Sequence, residues 1–331
     1  EPGVYCCKDA FAGLDTLNAL MAPARRAGLV ERARREALEF AAGAAAREER
    51  TRAAAGVGPA APVPRAVEIP VPRRWGVEVT PAADIPFAGM FAGMDLATLY
   101  RLHWGARGRG EAYERLVREE LEPRRAALER EAEAEGWLEP RAVWGAFPCR
   151  GEGDELVVFD PDGFAPGSLE PRGAPAEVAR FRFPRQAIRE GLCLSDYFLP
   201  AASGRFDVAA FQVVTVGGRV AERVARLHGE GRYADALFVH GLGMAAAEGL
   251  AEWHHARVRA RLGLPEGRGK RYSFGYGACP DLADQAKLLR LLDAERAVGV
   301  TLTAAFQLVP EASTSALIVH HPDAVYYLVK E

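Results

Sequence analysis

Five prolines fall between positions 56 and 72 of this 331-residue chain, namely Pro59, Pro62, Pro64, Pro70 and Pro72. Proline has no backbone N–H and a fixed φ, so neither a helix interior nor a central strand runs through such a stretch. A proline-rich segment instead forms a stiff, extended connector. The sequence therefore predicts a boundary here, with a full domain only from about Trp75 onward.

The part of the chain before these prolines resembles the end of another domain. Residues 4–8 form an apolar run that predicts a strand, and the apolar positions of residues 9–21 recur every three or four residues, as in a helix. Residues 24–55 are rich in alanine, arginine and glutamate and predict more helix. We expect the last β-α unit of a domain whose earlier strands are missing, and so a piece of a longer polypeptide. The expected division is a remnant at 1–40, a helical and proline-rich linker at 41–74, and the main domain at 75–331.

The main domain mixes helices and strands without the regular alternation of a doubly wound sheet. The pattern predicts an α+β fold, with a central twisted, antiparallel-leaning sheet flanked by helices. A strand pair is expected to close the chain around the turn His321–Asp323. The predicted helices are 110–136, 233–262 and 285–295, and the predicted strands are 142–147, 155–159, 207–216, 313–320 and 324–329.

Charge and cysteine content exclude several classes of function. The chain has 45 acidic and 42 basic residues, so its net charge of −3 gives no argument for a nucleic-acid partner. No stretch approaches the roughly 18–20 uninterrupted apolar residues of a membrane span, and no signal peptide is evident. The five cysteines lack metal-ligand spacing. We expect a soluble, cytoplasmic protein without a membrane partner, a structural zinc or a disulfide framework.

Two local motifs favour plain structural interpretations. The run from Gly241 to Ala246 has the spacing GxGxxA of a dinucleotide fingerprint, but it lies inside a helical pattern with no strand before it. Close helix packing is the favoured explanation for its small residues. The pairs His254-His255 and His320-His321 cannot easily share one metal ion, because adjacent side chains point apart. We expect surface or capping histidines.

Two features point toward a binding site. Glu248 lies on a helix of small and apolar residues, so we expect it to face a packed environment, where a carboxylate needs a cation or donors. Residues 271–280, Arg-Tyr-Ser-Phe-Gly-Tyr-Gly-Ala-Cys-Pro, combine aromatic and glycine residues. Glycine permits close approach of a backbone to a ligand. Composition alone leaves a ligand-binding loop and an ordinary turn equally open.

The same segment carries a family resemblance. Its pattern RxxxGYxACP, from Arg271 to Pro280, resembles the signature of the activation domain of cobalamin-dependent methionine synthase, which binds S-adenosylmethionine. Residues 4–14 are similar to the last strand and helix of that family's cobalamin-binding domain. Further segments match in the family's order: Leu194–Pro200 with LADFxAP, Ala142–Pro148 with a strand ending in GxFP, Gly299–Thr303 with GxxLT, and His321–Tyr327 with HPDxxYY.

The resemblance implies a set of ligand-binding residues. It places Asp196, Arg271, Tyr326 and Tyr327 on S-adenosylmethionine, with Glu248 and the backbone of Gly275, Tyr276 and Ala278 around it. A forked guanidinium suits the ligand's carboxylate and carboxylates suit its cationic groups, so we assign Arg271 to the carboxylate and Asp196 to the amino group. The sequence does not decide whether Tyr276 faces this ligand or the corrin.

The resemblance also implies the reaction. In the family, this domain presents the methyl group of S-adenosylmethionine to inactive cob(II)alamin for reductive methylation, which reactivates the enzyme in methionine biosynthesis. The implied class is a methyltransferase, although this chain alone should not make methionine. The implied partners are the cobalamin-binding domain of the same polypeptide and a flavodoxin-like or other electron donor. No catalytic side chain and no protein-bound metal are expected, because the cofactors carry the chemistry. The alternatives are a module that only senses S-adenosylmethionine or caps cobalamin.

The signature departs from the family at two positions. The family usually has proline directly after the arginine and after the tyrosine, where this chain has Tyr272 and Gly277. We therefore expect a loop that is less rigid before ligand binds. An acidic residue that often precedes the family's arginine has no clear counterpart here.

Overall fold

The computed structural model describes residues 7, 10–35, 38, 67–186 and 191–329. They belong to two compact units, one formed by the chain up to residue 60 together with Gly191, and the other by the remaining described residues. Most of the strand expected at residues 4–8, and the linker residues 41–66, lie outside the described residues. The predicted domain limits stay predictions.

The first unit is mainly helical where it is described. Helix α1, Ala10–Met21, confirms the helix expected over residues 9–21, and a second helix, α2, covers residues 23–35. Leu14, Leu17 and Met21 of α1 are exposed. The regular spacing of its apolar residues therefore reflects an apolar face that the described part of this unit does not cover.

The second unit is built on a mostly antiparallel sheet, which confirms the predicted α+β class. The strands are β1 Gly76–Thr80, β2 Arg141–Glu152, β3 Glu155–Phe159, β4 Glu177–Arg182, β5 Asp207–Thr215, β6 Lys270–Ser273 and β9 Ser313–Val319, with a separate hairpin of β7 Thr301–Leu302 and β8 Leu308–Val309. The order of the main path of the sheet is β4-β3-β2-β5-β9-β6, and neighbouring strands along this path run antiparallel. Strand β1 pairs with residues 142–146 of β2, and β3 pairs with residues 149–152 of the same strand.

The helices of this unit largely follow the predicted pattern. The charged helix expected at 110–136 is present as α5, Gly110–Leu116, and α6, Glu122–Glu135, joined by a π-helical turn, Val117–Leu121, and it ends at Gly136 in the left-handed conformation. The single helix expected at 285–295 is broken at Asp293, which has φ +48°. The helices are α3 Phe87–Ala92, α4 Leu96–Thr98, α5 Gly110–Leu116, α6 Glu122–Glu135, α7 Arg219–Gly229, α8 Tyr233–Arg261, α9 Asp284–Leu292 and α10 Ala294–Val298.

The strand expected at residues 324–329 is wrong. Residues 324–328 contain no helix or strand, and within the described chain β9 pairs with β5 on one side and β6 on the other. With both edges of β9 occupied, the chain after the turn cannot add to it. The turn itself is confirmed, and there His321 Nδ1 accepts a hydrogen bond from the backbone N–H of Asp323 at 3.1 Å.

Close helix packing explains the glycines of α8, as expected. A Cβ atom at Gly241 would lie 2.6 Å from the ring of Trp104, and one at Gly243 would lie 2.6 Å from Val220. A Cβ at Gly249 would lie 2.2 Å from the carbonyl oxygen of Met90. These glycines let the neighbouring segments approach the backbone of α8.

The expected surface position of the histidine pairs is wrong, because His254, His255, His320 and His321 are all buried, whereas the expected capping role holds for His321 at the turn. His254 contacts Thr80 at 3.0 Å and Gln212 at 3.2 Å, and burial lowers the pKa of His254 to about 3, so its ring is neutral. His320 Nε2 lies 2.6 Å from Oδ1 of Asp207, which is also buried. His254 thus connects α8 to the sheet, and no cluster among the described residues could hold a metal ion. Across those same residues, no helix is both long and apolar enough to cross a membrane.

Candidate ligand-binding site

A cleft of about 610 Å³ lies where β6 meets α8, the glycine-rich loop and the terminal segment 324–328. Six of the eight predicted site residues line it, whereas Asp196 and Gly275 do not. The binding role of all eight residues stays a prediction. The lining residues are Glu248, Arg271, Tyr272, Ser273, Tyr276, Gly277, Ala278, Tyr326, Tyr327 and Leu328.

Arg271 is the buried cation of the cleft. It lies on β6 opposite Ile318 of β9, so the signature begins on a strand rather than in a loop. Its side chain is 10% exposed, and its Nη2 donates to Oε2 of Glu248 at 2.9 Å and to Oε1 of Glu252 at 2.8 Å. Its Nε donates to the same Oε1 atom at 3.2 Å. Burial disfavours the charge of Arg271, but the two glutamates outweigh it, so the pKa of Arg271 lies above its usual value.

The remaining nitrogen of Arg271, Nη1, is buried and has no hydrogen-bond partner among the described residues. A buried donor without an acceptor is costly, by about 1–3 kcal/mol and more for a charged group. Arg271 also lines the cleft. A ligand acceptor at Nη1 would relieve this cost.

The two glutamates correct and extend the sequence analysis. Glu248 does not face a packed environment, because its side chain is 57% exposed, but it has the cation that was expected for it. Glu252, one turn further along α8, was missed. His255, at 3.9 Å from Oε2 of Glu252, and Arg271 together overcome partial burial and lower the pKa of Glu252 to about 2. Glu252 is therefore charged throughout the neutral pH range.

The glycine-rich loop is a tight turn with an exposed aromatic tip. The N–H of Gly275 donates to the carbonyl of Cys279 at 2.9 Å, and the N–H of Cys279 donates back to the carbonyl of Tyr276. Tyr276 is 74% exposed. Gly277 has φ +39°, which proline cannot adopt, and a Cβ there would lie 2.8 Å from the carbonyl oxygen of Tyr327. Glycine at this position therefore lets the loop and the terminal segment touch.

The terminal segment is held by side chains instead of a strand partner. The hydroxyl of Tyr272 donates to the carbonyl of Val325 at 2.6 Å, and Gln186 Nε2 donates to the carbonyl of Leu328 at 2.8 Å. Tyr326 packs on the ring of Tyr272 and is 66% exposed, whereas the hydroxyl of Tyr327 is buried without a partner in the described structure. Tyr326 thus lines the cleft as an exposed ring, whereas Tyr327 lines it as a side chain whose hydroxyl is buried.

We expect Tyr272→Phe to loosen the terminal segment. Losing this hydrogen bond should lower the free energy of unfolding by about 1 kcal/mol, and should speed amide exchange at residues 326–328, as measured by urea unfolding and hydrogen-exchange mass spectrometry. Tyr100→Phe is the matched control, because it removes a tyrosine contact with Arg125 on other elements. Equal exchange at 326–328 in wild type and Tyr272→Phe would show that this contact does not hold the segment.

Asp196 lies beside the cleft and is tied to a partner that the sequence did not indicate. It sits in the 3₁₀ turn Leu194–Tyr197, and both of its oxygens accept from Arg185, at 2.5 and 2.9 Å. Burial raises the pKa of Tyr327 above its usual value, and Asp196 is among the neighbouring groups that raise it further. The Asp196 carboxylate therefore acts electrostatically on the cleft wall, although it does not line the cleft.

Comparison with known proteins places this architecture in a family. Residues 116–331 match the family described as vitamin B12 dependent methionine synthase, activation domain. The chain belongs to this family. The activation-domain resemblance of the RxxxGYxACP segment is thereby confirmed.

Two relatives and a solved structure agree with this family assignment. The chain is 36% identical to a methionine synthase of Mycobacterium tuberculosis and 34% identical to one of Mycobacterium leprae, over 98% and 99% of its own length. It spans 30% of the length of each. This activation domain is also similar to a crystal structure of the MetH reactivation domain bound to AdoHcy, with a TM-score of 0.68 and 25% identity, over 80% of this chain and 84% of the other.

Proposed function

We propose that this activation domain binds S-adenosylmethionine in the cleft and presents its methyl group to cobalamin held by another part of a longer protein. The buried, unpartnered Nη1 of Arg271 carries the proposal, because it is a charged donor that lacks an acceptor among the described residues. The similar solved domain binds AdoHcy, which differs from S-adenosylmethionine by the transferable methyl group and the sulfonium charge.

The residues of the cleft fit the chemistry of this ligand. S-adenosylmethionine has a carboxylate for Nη1 of Arg271, and its ammonium and sulfonium favour the carboxylate of Glu248 in the cleft and the charge of Asp196 beside it. The exposed rings of Tyr276 and Tyr326 offer an aromatic wall for adenine. The cleft volume of about 610 Å³ lies within the range of roughly 300–1,000 Å³ typical of small-molecule sites.

For methyl transfer, this chain has to bind and orient the ligand and does not have to supply an acid or base. Cobalamin, when present, supplies the cobalt that accepts the methyl group. Holding the amino-acid end of the ligand at Arg271 fixes where the sulfonium lies relative to the cleft mouth. The cobalamin-binding domain and a flavodoxin-like or other electron donor are the proposed partners.

A methyl-transfer assay tests this function. The chain is mixed with the cobalamin-loaded domain of a related methionine synthase, a reductant and methyl-labelled S-adenosylmethionine. We expect label in the cobalamin fraction only when the chain is present, and less label when unlabelled S-adenosylhomocysteine competes. Binding of S-adenosylmethionine without any transfer of label would contradict the proposal and support a sensing or capping module instead.

A further inference from the structure

We infer that Glu252 is a positioning residue that holds the Nε–Nη2 edge of the Arg271 guanidinium, while Glu248 is the exchangeable partner that can turn to the ligand. The inference rests on the proposed function, because the purpose of holding this edge is to leave Nη1 for a ligand carboxylate. Neither the signature segment nor the comparisons point to Glu252.

The two glutamates hold Arg271 in different ways. Oε1 of Glu252 accepts from both Nε and Nη2, at 3.2 and 2.8 Å, so it grips one edge of the guanidinium at two points. Glu248 accepts from Nη2 alone, at 2.9 Å. Because Nε and Nη2 share one acceptor, Glu252 holds that whole edge of the guanidinium, whereas Glu248 holds a single nitrogen. Releasing Glu248 therefore leaves the Nε–Nη2 edge of Arg271 held by Glu252.

The contacts with the two glutamates leave some N–H donors of Arg271 unused. A guanidinium carries five N–H donors. The Nε donor and the two donors of Nη2 match the three contacts with the glutamates. Both donors of Nη1 remain, on a nitrogen that is buried and unpartnered in the described part of the chain. The glutamates thus direct the unused donors of Arg271 to one side of the group.

The position of each glutamate supports the division of roles. Glu248 lines the cleft and Glu252 does not, although their side chains are similarly exposed, at 57% and 53%. Glu252 is also backed by His255, whose buried ring places Nδ1 3.9 Å from its second oxygen. Glu252 and Arg271 stand on α8 and on a strand of the sheet, which are rigid supports for a binding geometry.

The charge of the cluster explains why one partner must be exchangeable. Arg271 with two ionised glutamates has a net charge of −1, which opposes the approach of a ligand carboxylate. If Glu248 turns toward the ammonium or sulfonium of the ligand, Arg271 keeps one bound carboxylate and gains the ligand's. The exposed, one-point contact of Glu248 permits this movement, and the two-point contact of Glu252 prevents Arg271 from following.

Two ligands separate positioning from general damage to the cleft. AdoHcy carries the carboxylate that Arg271 would hold, and 5′-methylthioadenosine lacks the whole amino-acid part. We expect Glu252→Ala to weaken AdoHcy binding by about tenfold, equivalent to about 1.4 kcal/mol, and to leave 5′-methylthioadenosine binding nearly unchanged in calorimetry. Glu252→Gln should restore much of the affinity, because its carbonyl oxygen can accept the same two N–H groups. Glu222→Gln on α7 is the control, since its exposed side chain has no ion pair among the described residues.

A double-mutant cycle completes the test. In an Arg271→Ala background, Glu252→Ala should have no further effect on AdoHcy binding, because its target is already gone. An equal loss in both backgrounds, or an equal loss for both ligands, would overturn the positioning role while leaving the proposed function intact. Failure of the wild-type chain to bind AdoHcy at all would overturn the proposed function and, with it, this inference.

Discussion

Arg271→Ala is expected to lower the affinity of this activation domain for S-adenosylmethionine by about 100-fold or more, measured by calorimetry. Removing one partner of a buried charge pair commonly costs about 2–5 kcal/mol, and 100-fold corresponds to about 2.7 kcal/mol. The effect on folding should be smaller, because the glutamates that lose their partner, Glu248 and Glu252, are more than half exposed and can be hydrated.

A matched arginine separates this effect from a change in overall charge. Arg290→Ala removes an exposed guanidinium on α9 that has no ion pair in the described structure, so the affinity should stay within about twofold of wild type. Wild-type affinity in Arg271→Ala would mean that the ligand is held elsewhere. Arg271→Lys should recover little of the affinity, because an ammonium cannot donate to the glutamates along one edge and to the ligand along another, as the planar guanidinium can.

Gly249→Ala is expected to give a large loss of stability, about 2–3 kcal/mol in urea unfolding. A Cβ at Gly249 would lie 2.2 Å from the carbonyl oxygen of Met90, and a Cβ at Gly93 would lie 2.5 Å from the carbonyl oxygen of Gly249. The obstacle on each side is backbone, so α3 and α8 would have to move apart. The same helix carries Glu248, so ligand affinity should also fall.

A second glycine on a helix gives the control. Gly229 is the last residue of α7, and no atom of the described structure lies within 4 Å of the position that a Cβ would take there. Gly229→Ala should therefore leave stability unchanged or raise it by about 0.4–1 kcal/mol, because alanine restricts the unfolded chain. Comparable destabilisation by both substitutions would refute the close-packing explanation for the glycines of α8.

The parts of the fold set by local pattern could be predicted from the sequence. The helix at 233–262 and the strands at 155–159 and 207–216 follow from regular spacing of apolar residues, and the structure places them within one residue of those limits. Strand β6 was missed because it has only four residues, beside a glycine-rich run, and depends on pairing with β9. The expected strand at 324–329 failed for the converse reason, since its sequence suits a strand but the edges of β9 are taken.

The candidate site was predictable as a set of residues but not as a set of contacts. The resemblance named six residues that line the cleft, among them Arg271 and Tyr276, but not the contacts that hold them. Glu248 was expected to face a packed environment because its neighbours are small. One face of a long helix can nevertheless carry carboxylates in solvent, as α8 does at Glu248 and Glu252. Glu252 stands four residues after Glu248, and residues with that spacing share a helix face, so this signal could have found it. Arg185 gave no local signal, because its contact with Asp196 depends on how two separate segments of the chain fold together.

A crystal structure of this chain with AdoHcy tests the central claim most directly. We predict adenosine in the cleft between Tyr276 and Tyr326, and the ligand carboxylate within hydrogen-bond distance of Nη1 of Arg271. Oε1 of Glu252 should keep its contacts with Nε and Nη2 of Arg271. Ligand bound outside the cleft, or bound within it while Nη1 of Arg271 stays without an acceptor, would contradict the account.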